Sequence, residues 1–292
     1  MPGQLISVGQ IIDKSWEHYT KHFQSLMKVS LWLLAGTLLI IIGSALSPIG
    51  EPTELLASGG LSGAETFGVL LTLISSSVLT PILLIWVVLG LILLIENQAV
   101  GKKMNSKTAT QGATKKFLPY LWVSVMKTVV ILLPFLLVIP GGILLAVSTL
   151  EGSSYGGGLG GLLLIIGLPL AIALALMLTI QFAFIGYELT LNHKHGRSAL
   201  AASRALVKGR WWATLWRYLI PRMVFGFFAT LVLLVAIAAV TILLTSITNA
   251  GIESSARIAE VFINIAASAV TILILPIITI ADYYLFDSLR KA

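Results

Sequence analysis

The sequence predicts an all-α membrane protein: six transmembrane helices forming three hairpins, each hairpin preceded by an amphipathic helix at the cytoplasmic interface. Three observations carry the prediction. Six apolar runs each reach the ~20 residues that an α-helix needs to cross bilayer hydrocarbon. A composition that is 57% hydrophobic and 11% charged, with a mean hydropathy of +0.98, leaves too little polar surface for a water-soluble domain of 292 residues. The basic residues gather in alternate connections between the runs.

The first element is the segment Ile6–Leu26, where Val8, Ile11, Ile12, Trp16, Tyr19, Phe23 and Leu26 recur on one helical face and Gln10, Asp13, Lys14, Glu17, His18 and Lys21 on the other. Trp and Tyr on the apolar face with flanking cations fit a helix lying among headgroups; a helix packed on the inner end of the bundle is the other reading. These residues lack the apolar core and cleavage site of a signal peptide, so the first span, Ser25–Leu46, is expected to stay as an anchor. The second span is Phe67–Ile95. Its Ser75, Ser76, Ser77 and Thr80 precede Pro81, where they either satisfy backbone groups that the proline frees or line a narrow polar path.

Leu121–Val147, with Pro134 and Pro140, is the third span, and Leu162–Tyr187, with Pro169, the fourth. Between them Gly156–Gly161 reads as a flexible external turn, since it lacks the preceding strand and the Lys-Ser/Thr of a phosphate-binding loop. In the fourth connection Ser198–Trp211 is again amphipathic, with Leu200, Leu206, Val207, Trp211 and Trp212 apolar against Arg204, Lys208 and Arg210. Met223–Ile247 and Ala259–Leu285, the latter with Pro276, complete the set.

Charge sets the orientation. Lys102, Lys103, Lys107, Lys115 and Lys116 crowd the second connection, and Lys194, Arg197, Arg204, Lys208, Arg210 and Arg217 the fourth. Of 19 Lys and Arg residues only Arg257 falls in a far-side segment, whereas those segments carry Glu51, Glu54, Glu65, Glu151 and Glu253. The positive-inside rule then makes both termini cytoplasmic. An internal repeat is visible in Lys21-His22-Phe23, Lys115-Lys116-Phe117 and Gly209-Arg210-Trp211, whose aromatics are 94 residues apart both times. It divides the single transmembrane domain, residues 1–292, into repeats 1–97, 98–190 and 191–292, and permits either a pseudo-threefold or a plain six-helix bundle.

Ser15-Trp16-x-x-Tyr19-x-x-x-Phe23, Ile139-Pro140-Gly141-Gly142-Ile143, and Ala199-x-x-x-Ser203-x-x-Leu206-Val207-x-Gly209 before Trp211-Trp212 resemble the YciC-like bacterial inner-membrane proteins. They are also similar to the membrane domain fused to some glycerophosphodiester phosphodiesterases. The resemblance covers nearly the whole chain as layout. It implies a multi-pass protein of a prokaryotic plasma membrane and carries over no catalytic residue. This chain departs from the pattern in the stretch Ser148–Gly161 that follows its Pro-Gly.

The chemical inventory points away from catalysis. Cysteine is absent, His18, His22, His193 and His195 all lie in cytoplasmic segments, and His193-x-His195 has no further metal ligand nearby. Neither a Ser-His-Asp order nor paired catalytic carboxylates can be assembled, so no enzyme, cofactor or metal is expected, and no nucleic acid partner. Two functions remain. One is a module that binds or organises anionic phospholipid, or scaffolds other membrane proteins, with headgroups on Lys115, Lys116, Arg204, Lys208, Arg210 and Trp211. The other is a transporter or channel for a small or lipidic solute, whose cytoplasm-facing vestibule is rimmed by Lys28, Glu96, Lys127, Glu188, Arg222 and Asp282. Those acids and bases could equally pair with one another between neighbouring helices or snorkel to water.

Overall fold

A computed structural model describes residues 5–48, 54, 56–57, 59–152, 154–247 and 252–292, and the side chains of these except at 154–156, 243–247 and 252–257. Glu51 and the side chains of Glu253 and Arg257, expected on the far side, lie outside the described part. The described chain is helical, with no strand, and five of its helices are long and apolar enough to cross a membrane: Gly63–Ala99, Ser106–Glu151, Gly157–Leu191, Trp211–Ile242 and Ile258–Lys291. A bent helix pair, Val8–Ser30 with Leu33–Leu46, brings the number to six when counted as one span. Along these spans Ile165, Phe227 and Leu136 are more than half exposed, an outward apolar surface that water does not support over such a length. This is the make-up of a multi-pass membrane protein.

The helices gather into two compact units, the residues up to Phe117 with Arg217–Ser288, and Leu118–Trp216 with Leu289–Ala292. In the first unit α1 (Val8–Ser30) opens on a capping box, the Ser7 hydroxyl accepting the Gln10 N–H at 3.2 Å while the Gln10 side chain accepts the Ser7 N–H at 3.3 Å. Ile11, Ser15, Leu26 and Val29 are fully buried, so the packed face runs past Ser25 and keeps the chain helical as far as Ser30. The first span is therefore not one helix from Ser25. It turns by 47° at Leu31–Trp32, and α2 (Leu33–Leu46), at 14 residues, reaches only ~21 Å.

Small residues bring α2 against α3 (Gly63–Ile74). A Cβ at Gly43 would stand 2.9 Å from the Gly68 carbonyl, and one at Gly68 would stand 2.8 Å from the Gly43 carbonyl. One π-helical turn, Ser75–Leu79, links α3 to α4 (Thr80–Ala99) within one continuous helix, and it lies directly before Pro81, whose missing N–H breaks the regular ladder. Ser75 is buried, while Ser76 and Ser77 are exposed and the Ser76 hydroxyl donates to the Thr72 carbonyl at 2.8 Å. The three serines thus face different ways and do not form one polar line.

The unit is closed by α10 (Trp211–Ile247) beyond Arg217 and by α11 (Ile252–Lys291). Arg222 of α10 forms an ion pair with Asp282 of α11, and its guanidinium lies 3.3 Å from the centroid of the Tyr218 ring. α1 is fastened to both α4 and α11 by a chain of hydrogen bonds centred on His18. The Ser25 hydroxyl donates to the His22 carbonyl (2.8 Å) and Gln98 Nε2 donates to Ser25 (2.8 Å). Gln98 Oε1 is left to accept His18 Nε2–H (3.0 Å), and His18 Nδ1 accepts the Tyr284 hydroxyl (3.1 Å). Every member is satisfied when His18 is neutral, and His22 is distorted from helical geometry (φ −115°, ψ 17°) beside it.

In the second unit lie the remainder of α5 (Ser106–Leu132), a 3₁₀ segment Leu133–Val138 holding Pro134, α6 (Ile139–Glu151), α7 (Ser154–Gln181), α8 (Ile185–Leu191) and α9 (Arg197–Val207). The amphipathic helix expected before the third span is not set off from it, because Ser106–Leu132 is continuous. The glycine-rich stretch overturns its reading as a flexible turn: Gly156–Gly161 lies inside α7, and α6 is capped ahead of it at Gly152 (φ +65°). Those glycines serve close helix approach. A Cβ at Gly160 would stand 2.7 Å from the Leu145 amide nitrogen and 3.0 Å from the Gly141 carbonyl, and one at Gly157 would stand 3.2 Å from the Ser148 hydroxyl.

Two outcomes follow from this packing. Gly160→Val should destabilise the protein by roughly 1–3 kcal/mol through overpacking against backbone, whereas Gly158→Ala, with nothing within 4 Å, should not, as read by unfolding in mixed micelles. Burial lowers the His18 pKa, with the neighbouring His22 and Lys21 adding to it and the Gln98 hydrogen bond opposing it; this group lies on the amphipathic part of α1, ahead of the apolar run that begins at Ser25. Its contribution to stability is present above the unfolded value of about 6.5 and is lost as pH falls through the lower folded value. Thermal stability in detergent should therefore drop on acidification from neutral pH to 5, and His18→Gln should flatten that drop.

Candidate functional site

The second unit carries a polar cavity of about 270 Å³ lined by Glu188, Lys194, Ala202, Ala205, Leu206, Lys208, Arg210 and Leu289. Its geometry begins with a break in a span. Between α7 and α8 the chain leaves helical geometry at Phe182–Phe184, and one buried side chain serves both broken ends: the Ser203 hydroxyl accepts the Phe184 N–H at 3.2 Å and donates to the Gln181 carbonyl at 2.8 Å. Ser203 shares its face of α9 with Ala199 and Val207, all buried, so α9 is held with Arg204 and Lys208 outward. Ala199 completes an apolar cluster with Val123, Phe182, Ile185 and Leu189.

Glu188 lies in the first turn of α8, only 2% exposed. A carboxylate at that depth needs partners, and it has Asn192 Nδ2 at 3.0 Å and Lys194 Nζ at 3.3 Å. The chain reverses tightly to supply them. The Asn192 and Lys194 amides both donate to the Glu188 carbonyl, His193 sits in the left-handed region (φ 52°), and Gly196 adopts φ 54°, ψ −131°, which only glycine tolerates readily. After α9 a second left-handed glycine, Gly209 (φ +77°), turns the chain so that Lys208 and Arg210 face the same cavity. Arg210 Nη2 donates to the Ala292 carbonyl at 2.9 Å, and Trp211 Nε1 to the Met177 carbonyl at 3.3 Å.

Three cations and one carboxylate thus surround a space large enough for a small polar group, and the balance favours an anion. Of the residues expected to touch headgroups, Lys208 and Arg210 meet here and Trp211 follows them; Arg204 is exposed on α9 without lining the cavity. Lys115 and Lys116 belong to the first unit, on α5, with Lys116 within electrostatic reach of Glu96. Of the rim set, Arg222 and Asp282 are paired, and Glu188 pairs with Lys194. Lys28 is exposed on α1, and Lys127 is half-buried on α5 in the second unit. Lys194 was not among the expected contacts; its signal in the sequence is its place six residues after Glu188, across a turn that Asn192, His193 and Gly196 favour.

No family model, curated protein or solved structure matches the chain.

Ser203→Ala would leave the Phe184 N–H and the Gln181 carbonyl without this partner in a buried place. It should cost about 1–3 kcal/mol and speed amide hydrogen exchange at Phe184, while Ser198→Ala, at an exposed turn, should do neither.

Proposed function

We propose that this chain is a non-catalytic membrane protein that binds anionic phospholipid headgroups in the basic cavity of its second unit. The observation that carries the reading is the convergence of Lys194, Lys208 and Arg210 on one polar cavity that holds a single, already paired carboxylate. Phosphate oxygens are the natural complement of such a set, since Arg and Lys bind them through charge-assisted hydrogen bonds, each basic residue near an anionic surface being worth ~1 kcal/mol. The tryptophans at the start of α10, Trp211 and the exposed Trp212, are amphipathic rings suited to headgroup depth. With the basic connections inside, both termini and this cavity face the cytoplasm of a prokaryotic cell. The short motifs shared with the YciC-like proteins support the same placement.

The test is lipid retention. Purified from nanodiscs of equal phosphatidylglycerol and phosphatidylcholine, the protein should retain phosphatidylglycerol preferentially by native mass spectrometry. Lys208→Gln with Arg210→Gln should reduce that preference by about thirtyfold, taking ~1 kcal/mol for each cation. Lys115→Gln with Lys116→Gln should leave it largely in place. A preference untouched by the Lys208 and Arg210 changes would end this reading.

A further inference from the structure

The first unit contains a larger recess of opposite electrostatic character. Its volume is about 790 Å³, within the ~300–1,000 Å³ of small-molecule sites, and it lies between α1, α10 and α11. The lining from α10 and α11 is wholly apolar: Phe225 and Ile277 are buried, and Phe228, Val232 and Leu273 are exposed along its open side. Its polar lining comes from α1: Asp13 and Glu17, one helical turn apart and both exposed, with Trp16 and Tyr19 beside them. Tyr19 is anchored by its hydroxyl, which donates to the Leu273 carbonyl at 3.1 Å, so the aromatic lip is fixed to the far wall.

No described salt bridge involves either carboxylate. Lys14 and Lys21, the other charged residues of this stretch, do not line the recess: Lys14 lies 6.0 Å over the Tyr284 ring, and Lys21 lines a separate cleft with Thr20 and Gln24. Arg222, two residues before Val224, is paired with Asp282 and stacked on Tyr218. In a chain with net charge +7, two acids have been placed at the mouth of an apolar slot with aromatic faces alongside. We infer that this recess binds a single-chain amphiphilic cation, its alkyl tail among Phe225, Phe228 and Ile277 and its ammonium held by Asp13 and Glu17 against the Trp16 and Tyr19 rings. A phospholipid is the poorer fit, because its phosphate would sit beside the two carboxylates. The site is separate from the anion cavity of the second unit and does not depend on it.

Brominated alkyl chains quench nearby tryptophan fluorescence, so occupancy reads as the quenching that Trp16→Phe abolishes. With the 292-residue chain in phosphatidylcholine nanodiscs, a brominated dodecyltrimethylammonium should produce Trp16-dependent quenching at a concentration at least tenfold lower than a dodecyl sulfate or dodecylphosphocholine of the same bromination. Asp13→Asn with Glu17→Gln should erase that advantage, and Ala229→Phe should suppress quenching by all three by filling the slot. Equal quenching by the three probes on the unaltered protein would overturn the assignment and leave only non-selective uptake of hydrocarbon. Preference for the phosphocholine, or a cationic preference that survives the double substitution, would overturn it too.

Discussion

Backbone groups released inside a bilayer have to find partners within the protein, and much of this structure answers that requirement. Where α7 gives way to α8, Ser203 takes up both the loose carbonyl and the loose amide, and in doing so decides where α9 lies and which way its cations face. Where Pro81 removes an N–H inside the continuous helix Gly63–Ala99, one π-helical turn precedes it, and the neighbouring Thr80 amide donates to the Ser75 carbonyl. At the turns around Glu188, the helix-end carbonyl receives two amides from the returning chain. The polar cavity of the second unit thus follows from local backbone geometry: Ser203 seats α9 on the helix break, and the turns at Gly196 and Gly209 bring Lys194, Lys208 and Arg210 to it.

Helix-to-helix contact follows from a related restriction. Lipid tails are as apolar as leucine, so burying leucine between helices gains little in a bilayer, and close backbone approach matters more. Gly43 against Gly68 and Gly141 against Gly160 are its two clearest instances. Polar contacts are placed sparingly and completely: Thr37 with Ser268 at 2.7 Å, and the five-member chain through His18, hold α1, α2, α4 and α11 at chosen points. Of the charge pairs, Glu188 with Lys194 lies at a turn after a short helix, whereas Arg222 with Asp282 joins α10 to α11 more than two turns inside either helix.

The long spans were legible in the sequence because their signal is summed over twenty or more residues: Phe67–Ile95 is embedded in Gly63–Ala99, and Ala259–Leu285 in Ile252–Lys291. The break at Leu31–Trp32 was not, since neither proline nor glycine marks it and α1 is kept helical past Ser25 by buried contacts made with residues far along the chain. Gly156–Gly161 misled for the opposite reason. In water a glycine run reads as a turn, but next to another helix in lipid it reads as a contact surface. For the cavity, Lys208 and Arg210 were visible as cations in an amphipathic connection, whereas Lys194 needed the reversal at His193 and Gly196 to bring it back to Glu188. The recess on α1 was hidden altogether, because its walls come from helices some two hundred residues downstream.

The unequal lengths of the helices bear on how this protein sits in bilayers of different thickness. At 37 and 40 residues, α10 and α11 extend ~55 and ~60 Å, about twice the hydrocarbon depth, and so hold length in reserve. α2, at ~21 Å, has no such reserve, and only the angle at Leu31–Trp32 can lend it turns from α1. Thickening the surrounding lipid therefore loads that elbow before any other part of the molecule, which makes it the natural gauge of hydrophobic mismatch.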